Sequence, residues 1–236
     1  LKKLQWRNSR LEFGTTNSLI DSLDKISENN LLIKAQPAED FRTLTALVDD
    51  AEVSARASDG ASVKLLWDTC GIPDFRGVSF TDHTSLVSRI FNFLHEKGEV
   101  SENWLAQKIA NIDKTGGDID TISKRLAFIR TWTYICQRKG WVQNESYWRE
   151  ETRAVEDRLS DALHNALTQR FIDRRTSLLM RRLKQKESLV AEVDTKGEVT
   201  IEGEFVGKLN GFRFQMDKDA TAEESKTLRA ASIQAL

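Results

Sequence analysis

Hydrophobic positions in this chain recur mostly at three-and-four spacing, the period of a helix that buries one face. Leu19, Ile20, Leu23 and Ile26 predict a first helix, capped by Thr16 or Asn17. Pro37, followed by Glu39 and Asp40, opens a second that buries Phe41, Leu44, Leu47 and Val48. A short helix follows at 51–57. Asp59 caps the next, which carries Val63, Leu66, Trp67 and Cys70; Gly71 ends it and Pro73 keeps it from resuming. Leu86, Val87, Ile90, Phe91, Phe93 and Leu94 form the broadest apolar face, on a helix begun by Thr81 or Asp82 and stopped by Gly98. Ser101 caps a helix with Trp104, Leu105, Ile109 and Ile112. Asp118 caps a long one with Ile119, Ile122, Leu126, Ile129, Trp132 and Cys136 inward, ended by Gly140.

The stretch 152–186 contains no Gly and no Pro, so nothing in it must end a helix. Its first half is apolar on one side, at Val155, Leu159, Ala162, Leu163, Ala166 and Leu167. That side then changes chemistry: Arg170, Arg174, Ser177, Arg181 and Lys184 continue it, while Phe171, Leu178, Leu179 and Leu183 move elsewhere. A kink near Thr176 and Ser177 is compatible with the length.

After residue 187 the period drops to two. Short strands are predicted at 189–193, 198–201, 204–209 and 211–216, with turns at Thr195–Gly197 and Asn210–Gly211. Four short strands can form a small antiparallel sheet if helices cover one face. A weak Ala-rich helix closes the chain at 221–236. The fold class is therefore mainly α: a bundle-like set of seven or eight helices, then a small antiparallel β segment and a short terminal helix.

With 236 residues, 39% of them hydrophobic and 30% charged, the chain can bury a core. Its net charge of −1 argues for no polyanionic partner overall. Local charge differs. Residues 170–186 hold seven cations and one anion, Asp173, whereas 187–204 hold six acids and one Lys. Dense cations release counterions from a nucleic-acid backbone, but such a run is also what a solvated helix surface looks like. Cys70 and Cys136 lie far apart on apolar helix faces, which reads as buried free thiols in a reducing compartment, the cytoplasm. No run is apolar enough to span a membrane, and no targeting pattern is present. The chain opens on Leu1, as a segment of a longer polypeptide would.

Catalytic signatures are missing. There is no GxxxxGK[ST], HExxH, CxxC or GxSxG. His83, His95 and His164 are scattered. Glu156 and Asp157 diverge on a helix, Asp118 and Asp120 read as capping residues, and Lys114–Gly117 reads as an interhelical turn. Trp67, Trp104 and Trp132 sit on apolar faces and read as core. Trp6, Trp141 and Trp148 flank helix ends and read as more exposed. Trp6, among Lys2, Lys3, Arg7 and Arg10, is the best stacking cluster outside the long helix. It could equally staple its segment onto a neighbouring domain.

Several blocks occur together in order: LQWRNSRLEF, LWDTCGIPDFRGVS (66–79), GDIDTISKRLAFIRTWTYICQRKGW (117–141), TRAVEDRLSDALHNALTQRFIDRRTSLLMRRL (152–183) and IEGEFVGKLNGFRF (201–214). They resemble the region after the motor in bacterial relatives of the mitochondrial degradosome helicase, the suppressor-of-var family of superfamily 2. The resemblance implies a parent with two RecA-like domains that hydrolyse ATP with Mg²⁺ and move along single-stranded RNA or DNA. It implies residues 1–14 as the join to that motor, 15–186 as a helical accessory domain packed on it, and 187–236 as a β-rich tail. The family's catalytic residues map to no position here, so no cofactor is expected in this region. The nucleic-acid contacts expected are Arg170, Arg174, Arg175, Arg181, Arg182 and Lys184, with Trp6, Arg7 and possible stacking at Trp148. The alternative is a structural, protein-interaction module whose basic helix pairs with acidic surfaces.

Overall fold

A computed structural model of the chain describes residues 4–185, 190–201, 203–211, 213–217 and 222–235. The helical class holds. Eight helices precede a four-stranded antiparallel sheet, and a ninth follows it, among the described residues. The chain forms two compact units, Leu1–Ala162 and Leu163–Leu236. The division falls inside the longest helix, not after 186. The second half of that helix therefore belongs with the sheet.

The first unit opens on β1 (Leu4–Trp6), which pairs in parallel with β2 (Leu32–Lys34). Neither strand is evident from the sequence pattern, because three-residue strands carry too short a period. Between them, α1 (Thr16–Asp24) is capped not by Thr16 or Asn17 but by Thr15, in a reciprocal box with Ser18. Then come α2 (Glu39–Val48), α3 (Ala51–Arg56) and α4 (Gly60–Cys70), the last capped by Asp59 as expected. α5 (Phe80–Lys97) starts earlier than expected. Its cap is Ser79, whose Oγ accepts from the Asp82 amide at 3.1 Å and donates to the Asp82 carboxylate at 2.7 Å. Gly98 ends it in the left-handed region, φ 76°. α6 (Glu102–Ile112) and α7 (Ile119–Gln137) follow, and Asp118 caps α7 through the Thr121 amide at 2.7 Å. Val63, Leu66, Val87, Ile90, Phe91, Leu105 and Ile129 fill the core. α8 (Glu145–Gln185) contributes Trp148, Thr152, Val155 and Leu159, which are buried at i, i+4, i+7 and i+11. Secondary structure is continuous through Thr176 and Ser177.

In the second unit, β3 (Ala191–Val193), β4 (Glu198–Ile201), β5 (Glu204–Asn210) and β6 (Arg213–Met216) form an antiparallel meander in chain order. The turn before β4 needs Gly197, at φ 77°. One sheet face gives Val199, Ile201 and Val206 to a core shared with Leu179 of α8 and with Leu228 and Ala231 of α9 (Ala222–Ala235). Helices thus supply the cover that four short strands require.

The loop between α4 and α5 is organised by Asp74. Its carboxylate accepts from the amides of Arg76 at 3.2 Å and Val78 at 3.0 Å. His83, 1% exposed, places Nδ1 4.0 Å from the same carboxylate. Burial holds this imidazole below its ordinary value of 6.5, against the opposing pull of Asp74. A depressed folded value means that the stability it contributes is whole above about pH 6.5 and is lost as pH falls through the folded value. Lowering pH from 7.5 to 5 should therefore lower the urea midpoint of the first unit, and His83→Gln should flatten that slope. Asp59 and Asp118, held below their ordinary 3.8 by the Ser62 amide and by Thr121 respectively, act only at lower pH. A slope unchanged in His83→Gln would assign the acid sensitivity elsewhere.

Candidate nucleic-acid interface

The expected contact residues separate into three groups. Arg170, Arg174 and Arg181 lie on the C-terminal half of α8 and are exposed, with exposed Ser177 between them. By helical periodicity they occupy the side away from Arg175 and Leu179, which the second unit buries. Among the described residues, no ion pair or hydrogen bond engages their guanidinium groups. The one acid of the segment, Asp173, accepts instead from Gln169 Nε2 at 2.8 Å. Arg182 and Lys184 continue the helix backbone, but their side chains lie outside the described residues.

Arg175 departs from the expected set. It is 4% exposed and its Nη1 donates to Asp217 Oδ2 at 2.8 Å and to the Phe205 carbonyl at 3.3 Å. Its guanidinium also lies 5.8 Å from the Phe171 ring. The reason is angular. Arg175 sits one residue, about 100°, off the Arg170–Arg174–Arg181 row, and that rotation turns it into the sheet-side core.

At the N-terminus, half-buried Trp6 ends β1, and Arg7 Nη1 pairs with Asp40 Oδ2 at 2.9 Å while lying 5.3 Å from the Trp67 ring. Arg7 is thus engaged within the first unit. Lys2 and Lys3 lie outside the described residues. Trp148, read as exposed from its place at a helix end, is 5% exposed, and its Nε1 donates to Glu102 Oε1 at 3.3 Å. Trp141 is buried as well. Neither indole is placed to stack a base.

The structure also assembles a basic cleft in the first unit that the sequence reading missed. α5 contributes Asp82, Ser85 and Arg89; α6 contributes Trp104, Lys108 and Asn111; α7 contributes Arg125, Phe128 and Trp132; and Arg76 enters from the preceding loop. The open space between them is about 650 Å³. Four cations face one lining carboxylate. Each helix presents its share at i, i+3, i+4 or i+7 spacing, so the stripes were visible singly. Trp104 with Lys108 four residues on was the available signal, but Trp104, half-buried, was read as core. What periodicity cannot supply is the tertiary meeting of three stripes.

The remaining chemistry-bearing residues have structural roles. Glu156 accepts from Arg130 Nε and Thr133 Oγ1, both at 3.2 Å. The 114–117 turn is held by Arg125 Nη1, which donates to the carbonyls of Lys114, at 2.7 Å, and Gly116. Both cysteines are free and buried, and burial pushes the Cys136 thiol up to about 12 and raises that of Cys70 too. Such thiols are unreactive. Among the described residues no group of three or more His, Cys, Asp and Glu side chains could hold a metal ion, and no helix is long and apolar enough to cross a membrane. Comparison with protein-family models, with curated proteins and with solved structures finds no match to this chain.

Proposed function

We propose that this chain is an accessory nucleic-acid-binding region of an ATP-dependent helicase of superfamily 2, and is not itself catalytic. It holds single-stranded RNA or DNA through the backbone, without reading sequence. The observation that carries the reading is the row Arg170, Arg174 and Arg181: three exposed guanidinium groups on one helix side, with no carboxylate engaging them among the described residues. Arginines that pair internally lose this capacity; these keep their forked donors for phosphate. The helicase assignment draws on the blocks that resemble the suppressor-of-var family. On that reading ATP and Mg²⁺ belong to RecA-like motor domains of the same polypeptide, and the free thiols fit a cytoplasmic setting.

The test is a titration of labelled oligo-U at two salt concentrations against the variant Arg170→Glu/Arg174→Glu/Arg181→Glu. Three lost phosphate contacts should lower the salt slope by about 2 and affinity at 0.1 M salt by about 100-fold. Unchanged binding would reject this site. A second reading, a protein-interaction module, is favoured by Arg175 and Arg7, which do pair with the chain's own Asp217 and Asp40. It predicts no oligo-U binding by any variant.

A further inference from the structure

We infer that the basic cleft between α5, α6 and α7 is a second, independent strand-holding site, which takes the phosphodiester backbone of single-stranded nucleic acid. Its anion-binding character rests on the geometry of the first unit. The identity of the polyanion rests on the function proposed above.

Arg76, Arg89, Lys108 and Arg125 line the cleft, against Asp82 alone. Asp82 is already an acceptor, from Ser79 Oγ at 2.7 Å. Among the described residues no carboxylate pairs with Arg89 or Lys108; Arg125 gives its Nη1 to the carbonyls of Lys114 and Gly116 and acts on the Asp118 carboxylate, and Arg76 has Asp74 at 3.6 Å. Elsewhere in this unit exposed cations find acids readily: Arg130 with Glu156, Arg149 with Glu145, Arg158 with Asp113. Arg89 and Lys108, gathered beside Arg76 and Arg125 without such neutralisation, are repelled by their neighbours, and an anionic occupant removes that cost.

Arg89 lies 5.0 Å from the Trp104 ring centre and 5.9 Å from that of Phe93; Lys108 lies 5.9 Å from Trp104; Arg76 lies 5.9 Å from Phe128. Trp104 is itself fixed, edge-on to Trp132 at 5.2 Å and tilted against Phe93 at 5.2 Å. Aromatic platforms hold long cationic side chains in place, so less rotamer freedom is lost when a phosphate arrives. A guanidinium over an indole can also stack with an unpaired base.

Arg76 Nη2 and Trp104 Nε1 are buried donors without a hydrogen-bond acceptor, and Arg76 Nε has only the Asp74 carboxylate at 3.6 Å. Buried donors are normally satisfied, and both side chains line the basic cleft, where an acceptor-rich occupant would suit them. The cations come from four separate segments, so the positive charge is distributed along the cleft. That suits a repeating polyanion better than one small anion.

The test uses the whole chain and fluorescently labelled oligo-U, read by anisotropy at two salt concentrations. Arg89→Glu/Lys108→Glu changes two exposed side chains, and circular dichroism verifies that the fold is kept. Loss of two contacts should reduce affinity at 0.1 M salt by about 25-fold and the salt slope by about 1.4. Arg89→Lys/Lys108→Arg should retain most of both. If the charge-reversed variant binds with parental affinity and slope, the cleft assignment fails, while a loss in the α8 triple variant would still uphold the proposed function. If pyrophosphate displaces the oligonucleotide from the α8 triple variant at matched ionic strength and equal affinity, the cleft is a small-anion site and the strand assignment is overturned. A weakening in both variants, with pyrophosphate a poor competitor, is the result expected.

Discussion

Asp217→Ala should destabilise the second unit by about 3–5 kcal/mol, because it removes a carboxylate that pairs at 2.8 Å with the buried Arg175 guanidinium. Coulomb attraction between the two is not the main part of this figure. Most of it is the cost of keeping a charge out of water in a site only 4% exposed. The unit spans Leu163–Leu236, a size at which one hydrophobic core rarely supplies more than about 3–5 kcal/mol, so the substitution removes most of what there is. The readout is clean, because all six tryptophans lie between residues 6 and 148, outside this unit. Circular dichroism should report loss of the sheet, and limited proteolysis should digest 163–236, while tryptophan emission stays native. Replacing the pair together, Arg175→Met with Asp217→Ala, should recover part of the loss, since it takes the guanidinium charge itself out of the buried site. An Asp217→Ala protein with parental protease resistance would show that the pair contributes little.

The same arginine shows where sequence reading reaches its limit. A helix without Gly or Pro was legible over 152–186, and so was its change of surface chemistry near Gln169. The fate of each cation was not. Arg174 and Arg175 are neighbours in sequence, yet one is exposed and the other is buried against β5 and Asp217, because the sheet arrives from 30 and 42 residues away. Caps were mostly legible, since Asp59 and Asp118 bond amides two or three residues on, a purely local geometry. Ser79 was missed in favour of Thr81 or Asp82, although Ser79 and Asp82 have the spacing of a cap. The turn at Gly197 was legible from composition. Its second duty was not: its carbonyl accepts from the Leu209 amide at 2.6 Å, which brings the turn against β5. Indoles misled for a related reason. A helix end predicts exposure only if nothing else packs there, and α6 brings Glu102 to Trp148 across 46 residues.

Phe91→Ala tests whether the cleft depends on the core behind it. Phe91 is fully buried on α5 and is among the largest side chains in the chain with no exposure. Two residues earlier, the same helix presents Arg89 to the cleft. Truncating a buried Phe removes transfer energy and leaves a cavity, together about 3–5 kcal/mol. Unfolding followed by tryptophan emission should therefore shift strongly to lower urea, whereas Phe91→Leu, which keeps more volume, should shift it less. The functional consequence follows from the shared helix. If the cation–aromatic cluster is held in place by core packing, oligonucleotide binding at the cleft should weaken in Phe91→Ala under conditions where the protein remains folded. Phe91→Leu should restore it along with the stability. Retained binding in a folded but strongly destabilised Phe91→Ala protein would mean that the cations find phosphate without a rigid wall behind them, and the argument from pre-ordered side chains would have to be given up.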